Sequence, residues 1–380
     1  AGGDSLMTLD TTLEPGQGYQ SDLAITGPVS AAVVTGDGGE VVALGADGLQ
    51  LISTATHEPG TAVVALPGPA LDLAVSADGR TAVSSHDTPE PAIALVDLDA
   101  LRAGGTEARM VTVPRPGAVG IAAGMAWVML EPLNNLFCQG ASSVQAIPLD
   151  DPDAAAPAVA LEGVGSELVV DPDSGAAFAI RACSGGQVVR FAGPGAAPEL
   201  YATIEGATSL AVARGTLWVM GHVDGEGAHM TLHMLPLDGG LESVLELPTL
   251  EERALAVQLE QTGQGGLIRL TADASSAFDM VVLPDGEHVA ILVAALYFGD
   301  AAGDAGGGQP IVPAMQMITF EYQLIDLATG LSAQRLRTSC DLSWDPGALL
   351  DDFTCALAPG QDQTNASFSP TDLAVIYGAR

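Results

Sequence analysis

Leu73-Ala-Val-Ser-Ala-Asp-Gly-Arg-Thr-Ala-Val83 decides the fold. A short apolar run enters an Asp-Gly turn and leaves as a second apolar run, which reads as a β-hairpin. The pattern recurs. Upstream it is Ala32-Val-Val-Thr-Gly-Asp-Gly-Gly-Glu-Val-Val-Ala43. Downstream come Gly120 to Met129, Leu168 to Ile180, Leu210 to Met220, Met280 to Ile291 and Ser367 to Ile376. The seven turns centre on Asp37, Asp78, Gly124, Asp173, Arg214, Asp285 and Thr371, at intervals of 41, 46, 49, 41, 71 and 86 residues. The first four intervals match a propeller blade of about 40–50 residues. The last two imply insertions or a further blade.

A third alternating strand follows several hairpins, as in Ala92 to Asp97 and Tyr322 to Leu327. A fourth, more variable one follows, as in Ala108 to Val113. Four antiparallel strands per repeat make one blade. A lone blade has two apolar faces and cannot bury both, whereas radial stacking buries both. The expected fold is therefore all-β, a propeller of seven four-stranded blades. Eight follow if Ala254 to Thr271 is a blade of its own. Trp127 and Trp218 occupy equivalent second-strand positions and read as filler between blades. The seventh hairpin stops at the end of the sequence. One or both of Leu6–Leu9 and Tyr19–Thr26 are therefore expected to pair with the last blade and lock the ring. Residues 1–28 read as tether and closing strands, and 29–380 as one propeller with insertions near 298–313 and 338–364.

The Ser-Ala-Asp-Gly79 and Leu-Pro-Asp-Gly286 turns, with Ile-Asp-Leu-Ala-Thr-Gly330 closing a third strand, resemble the YVTN-type seven-bladed propellers. The WD dipeptide of WD40 blades and the kelch Gly-Gly pattern are absent. The resemblance implies the fold and an exported location. It implies no catalytic residues, because that family shares none.

Charge excludes several functions. Twelve cations face 47 acids, for a net charge of −35, and every cation is arginine. Nucleic-acid binding needs clustered cations, and adsorption to anionic lipid needs the same. Without lysine there is no Schiff base and no Walker-type phosphate loop. The 48% hydrophobic content separates the chain from disordered acidic sequences. Acid without lysine fits a high-salt source, and equally a GC-rich codon bias. The longest apolar run, Val289 to Phe298, is half the ~20 residues of a spanning helix. The small residues Ala1 to Ser5 suit a tether behind a removed export signal or a lipid anchor upstream of residue 1.

Cys138, Cys183, Cys340 and Cys355 include no Cys-x-x-Cys pair, which argues against zinc-ribbon and thioredoxin-like motifs. An even count in an exported protein reads as two disulfides. Cys138 and Cys183 fall in or beside successive copies of one loop, so the expected pairs are Cys138–Cys183 and Cys340–Cys355. Four free thiols in a cytosolic protein are the alternative.

Loops from second to third strands gather on one face of a propeller. Here they carry His86, Asp87, Glu131, Arg181, His222, Asp224, Glu226, His229, Asp300 and Asp304. These are the candidate binding residues. No Gly-x-Ser-x-Gly elbow, His-Glu-x-x-His or EF-hand spacing occurs. The expected function is an exported, periplasmic or cell-surface propeller. It is non-enzymatic and binds a partner protein or small ligand through an acidic loop face. It acts as a monomer or within an envelope assembly, without cofactor or nucleic acid. The alternative is a metal-dependent hydrolase or lyase at the channel mouth, with His86, His222 and His229 as catalytic groups and Asp87, Asp224 or Glu226 as base or ligand. Such a set would take calcium or zinc.

Overall fold

The computed structural model describes the backbone of residues 5–9, 19–24, 29–45, 47–68, 70–131, 140–223, 229–247, 269–283, 286–300, 315–330, 332–341 and 355–357. Side chains are described for 29–45, 47–68, 70–131, 140–223, 229–247, 280–283, 286–291 and 324–330. Two strands, β1 (Ser5–Leu9) and β2 (Tyr19–Ala24), form a hairpin of their own. Six larger antiparallel sheets follow in chain order.

The first sheet is β3 (Val29–Val34), β4 (Glu40–Gly45), β5 (Gly48–Ser53) and β6 (Pro59–Val64). The second is β7 (Asp72–Val75), β8 (Thr81–His86), β9 (Ala92–Asp97) and β10 (Ala108–Thr112). The third is β11 (Pro116–Ala122), β12 (Met125–Leu130), β13 (Ser143–Pro148) and β14 (Val159–Ala160). The fourth is β15 (Gly165–Val170), β16 (Ala177–Arg181), β17 (Gln187–Phe191) and β18 (Glu199–Thr203). The fifth is β19 (Ser209–Ala213), β20 (Thr216–Val223), β21 (His229–Pro236) and β22 (Ser243–Glu246). The sixth has five strands: β23 (Arg269–Val282), β24 (His288–Asp300), β25 (Met315–Asp326), β26 (Ser332–Asp341) and β27 (Cys355–Leu357).

First strands of consecutive sheets touch in the succession β3, β7, β11, β15, β19, β23, so the sheets stack as propeller blades do. Second strands such as β4, β8 and β12 are buried almost throughout. Their near-continuous apolar runs follow from having a neighbour on both faces. In β4, Val42 and Leu44 join the cluster shared with the second sheet, while Val41 and Ala43 face the other way. Trp127 fills the seam between the third and fourth sheets, and Trp218 that between the fifth and sixth, as the repeat implied. Burying each large apolar side chain stabilises by roughly 1.5–3 kcal/mol.

The Asp-Gly turns hold themselves by short polar bonds. The Thr35 hydroxyl donates to Asp37 at 2.7 Å and the Gly39 amide at 3.0 Å. The Ser76 hydroxyl donates to Asp78 at 2.6 Å and the Arg80 amide at 3.2 Å. In the fourth sheet Asp171 takes the hydroxyl's place and accepts from the Ser174 side chain. The third and fifth sheets use two-residue turns, Ala123-Gly124 and Arg214-Gly215, with φ of 50° and 73°, and 54° and 68°. Such turns match the twist of the flanking strands.

Polar bonds also cross seams. The Arg102 guanidinium donates to Glu40 at 2.9 and 2.7 Å and to the Gly79 carbonyl at 3.0 Å, tying the second sheet to the first. Arg102 ends α1 (Leu98–Arg102), a short helix capped by Asp97. Asp72 accepts from its own neighbour Leu73 at 2.8 Å and from the Val119 amide of the next sheet at 2.7 Å.

Two expectations are corrected. The described residues form six blades, not seven or eight. The hairpins centred on Asp37, Asp78, Gly124, Asp173, Arg214 and Asp285 all form, while the one at Thr371 lies outside the described residues. The 86-residue interval after Asp285 is largely taken up by long strands of one sheet. β24, β25 and β26 have 13, 12 and 10 residues, where sheets one to five use two to eight. Most of the supposed extra blade at Ala254 to Thr271 also lies outside the described residues, and its end already belongs to β23. The N-terminal strands, expected to extend the last sheet, pair with each other. The expected insertions near 298–313 and 338–364 begin inside β24 and β26, and most of their residues fall outside those described.

Candidate functional site

The loops from second to third strands and the connectors between sheets share one face, where backbone bonds knit them together. Leu71 N donates to Ser85 O at 2.8 Å, Glu131 N to Arg115 O at 2.8 Å and His222 N to Glu205 O at 3.0 Å. Ile204 N donates to Gly186 O at 2.9 Å. A Cβ at Gly186 would stand 1.7 Å from Ile204 O, so the close crossing requires glycine there.

His86 was expected in a loop. It is the last residue of β8 and is 0% exposed. Its Nδ1 lies 3.1 Å from Gly68 O, and its Nε2 lies 2.8 Å from Ser84 Oγ. A carbonyl can only accept, so Nδ1 carries a proton and donates to it. The buried ring pins the connector at Gly68. Asp87 and Glu131 are exposed, the latter with φ of 54°.

Arg181 is a strut. Its Nε donates to Leu161 O at 2.6 Å and its guanidinium to Gln187 Oε1 at 3.1 Å, with Glu162 at 3.5 Å. His222 and His229 belong to β20 and β21, not to the loop between them. Register pairs His222 with Met230 and Val223 with His229. Directly paired residues share a face and successive residues alternate. His222 and His229 therefore lie on opposite faces of the fifth sheet, and His86 is three sheets away. The proposed three-histidine set does not converge. Asp300 ends β24 opposite Arg269. Asp224, Glu226, Asp304 and Cys138 lie outside the described residues. Cys183 is disulfide-bonded. The register places Cys340 directly opposite Cys355. Among the described residues, no three His, Cys, Asp or Glu stand where they could hold a metal ion.

Two arrangements escaped the sequence reading. Thr231, His233 and Glu242 form a relay, with Nε2 at 3.0 Å from Thr231 Oγ1 and Nδ1 at 2.6 Å from Glu242. The order resembles a nucleophile–base–acid set. Thr231 is only 5% exposed and its hydroxyl lies against Gly221, so no substrate carbonyl reaches it. The relay ties β21 to the turn that leads into β22. The alternation of Thr231 and His233 on one strand was its only signal. The second is a cleft of ≈ 470 Å³ on the opposite rim, lined by Asp171, Asp173, Arg214, Thr216 and Asp238 among others. Sequence reasoning looked only at the other face.

That opposite rim also carries the turn acids. The Gly39 amide and Thr35 hydroxyl hold the Asp37 carboxyl below its ordinary value. The Ser76 hydroxyl and Arg80 amide do so for Asp78, and the Thr329 amide and hydroxyl for Asp326.

No protein-family model and no curated protein matches the chain. Solved structures do. Hydrazine synthase of Kuenenia stuttgartiensis is 14% identical, over 70% of this chain and 76% of that one, with a TM-score of 0.49. The β-propeller domain of Myceliophteria thermophila Cps50 (Swd1) is 12% identical, over 83% and 96%, at 0.49. The RRP9 WD40 repeats are 12% identical, over 78% and 81%, at 0.47. These likenesses concern the fold alone. No helix among the described residues is long and apolar enough to cross a membrane.

Proposed function

We propose that this chain is an exported, non-enzymatic propeller of the YVTN-like kind that binds a partner protein through its loop face. The sixth sheet is its recognition element. One observation carries the reading. β23 to β26 have 14, 13, 12 and 10 residues, where first to third strands elsewhere have four to eight. From its hairpin turn β24 runs 13 residues, where β20 of the fifth sheet, which Ile291 packs against, runs eight, so β24 extends about five residues further toward the loop face. At ~3.3 Å per residue that is an arm of roughly 16 Å. Long elaborations of compact domains are often functional.

Export is supported by the disulfide at Cys183 and by the Cys340–Cys355 register, since disulfides persist in oxidising compartments. The pairs remain Cys138–Cys183 and Cys340–Cys355, and a lipid tether upstream of residue 1 suits the same compartment. Binding needs no cofactor in this reading, and calcium or zinc has no assigned role. Against the hydrolase alternative, its three histidines do not converge.

The test is photo-crosslinking in the native envelope, with the probe at Tyr297 on the arm or at Asp78 on the opposite rim. Partner adducts are expected from Tyr297 and not from Asp78. Adducts from Asp78 alone would sink the choice of face.

A further inference from the structure

Each seam between consecutive sheets has its own apolar cluster drawn from both neighbours. Leu44 meets Leu73, Val83 meets Val128, Trp127 meets Ala177, and two more clusters bridge the fourth to fifth and fifth to sixth sheets. The outer faces of the end sheets differ. Val41, Ala43 and Ile52 of the first sheet form a cluster of their own at 0–2% exposure. Ala290, Leu324 and the adjoining Leu283 of the sixth form another at 0–4%. Both faces are buried, yet among the side chains described neither joins a cluster with another sheet. Apolar faces this dry need a cover, and among the described side chains the two clusters do not supply it to each other.

The β1–β2 hairpin is tethered where such a cover must sit. Only four residues, 25–28, separate β2 from β3, the inner strand of the first sheet. They span at most ~18 Å between the flanking Cα atoms. The connectors from the fourth strand of each of the first four sheets to the next inner strand are 65–71, 113–115, 161–164 and 204–208. The four-residue link falls within that range, so β2 stands to β3 as an outer strand stands to the next sheet. β1 pairs antiparallel to β2, as third strands do to fourth, with Leu6 opposite Leu23 and Leu9 opposite Tyr19. An isolated two-stranded hairpin is marginal in water.

We propose that the β1–β2 hairpin seats in the seam between the sixth and first sheets, as an outer strand pair without a sheet of its own. There it covers Val41, Ala43 and Ile52 on one side and Ala290 and Leu324 on the other. The first and sixth sheets are then held by the chain's own N-terminal segment, and not by extension of the last sheet.

Native-state hydrogen exchange on the full chain tests this. The amides of β1, β2, β4 and residues 288–291 of β24 should open as one unit, at lower denaturant than those of β12 and β16. Removing residues 1–26 should lower protection of β4 and 288–291 at least tenfold and leave β12 and β16 unchanged. A peptide of residues 1–28 added in trans should restore it. Protection within twofold after truncation, loss spread evenly over all sheets, or no restoration by the peptide would each overturn the proposal. If the truncated chain does not fold, the full chain decides: a hairpin that opens independently of β4 and 288–291 overturns it.

Discussion

The fourth and sixth sheets begin alike and end differently. Both open on an apolar strand and an acidic turn, and both bury the second strand where it faces the preceding sheet. The fourth stops after strands of six, five, five and five residues. The sixth continues to 14, 13, 12 and 10. The turn fixes where a blade starts, and the length of the apolar run fixes where it stops. The run Val289 to Phe298 carries β24 past the ring, whereas Arg181 ends β16 by turning its guanidinium onto the neighbouring connector. A blade is a stability element up to the height of its neighbours and something else beyond it.

The strongest challenge to that division compares a seam with the arm. Phe178 is 1% exposed and meets Tyr201 edge-on at 5.1 Å. Phe178→Ala should cost about 3–5 kcal/mol in denaturant unfolding. Cutting the sixth sheet back to the Leu292–Tyr322 pair keeps Val289, Ile291 and Ile325 in their seam and should cost far less. Equal losses would mean that the arm is part of the core.

His86→Ala comes next. It removes a buried imidazole that bonds two partners at the loop face of the second sheet. The expected loss is about 1–3 kcal/mol, because Gly68 O and Ser84 Oγ lose their partner. A neutral result in urea would show that the connector needs no such pin.

The two tryptophans sharpen the comparison further. Trp218 Nε1 donates to Ala213 O at 3.4 Å, while the buried Trp127 Nε1 has no hydrogen-bond acceptor. Trp218→Phe should lose about 1 kcal/mol more than Trp127→Phe, since an unsatisfied buried donor costs free energy that phenylalanine avoids. Thermal unfolding of the two variants side by side checks the order.

The smallest effect concerns the acidic turns of the first, second and sixth sheets. Asp37, Asp78 and Asp326 are held below the ordinary value of 3.8. A carboxyl with a lowered folded-state value stabilises above the unfolded value and loses that contribution as pH falls through the folded one. Stability should therefore be flat near neutrality and decline below about pH 4. An Asp37→Asn, Asp78→Asn variant should show a shallower decline in unfolding midpoint from pH 5 to 3. An unchanged slope would remove these turns from the acid response.

Much of the fold was legible because turn chemistry is local. The hairpins at Asp37, Asp78 and Asp173 were marked by residues that make their own bonds, such as Thr35 to Asp37, and those at Gly124 and Arg214 by a glycine at positive φ. Trp127 and Trp218 were legible as filler because apolar second strands flanked them. The blade count was not, since spacing between turns does not say whether residues lengthen a strand or start a new one. The site was misread for a related reason. His222 and His229 are close in sequence, but one residue of register decides their faces. His86 sits at the margin of a loop by sequence, and its burial comes from Gly68, eighteen residues away in chain and set by the stacking of two sheets. The acidic rim and its cleft were overlooked because the search began from the loops that vary most.

Asp72 carries one more consequence. Apolar seams attract without direction, so two facing sheets could slip along the channel axis at little cost. A carboxylate gripping the Val119 amide of the next sheet at 2.7 Å removes that freedom. It acts as a detent, setting the height of the third sheet against the second. Blades could not be exchanged or duplicated at this joint by matching hydrophobic surfaces alone, because the notch would have to travel with the key.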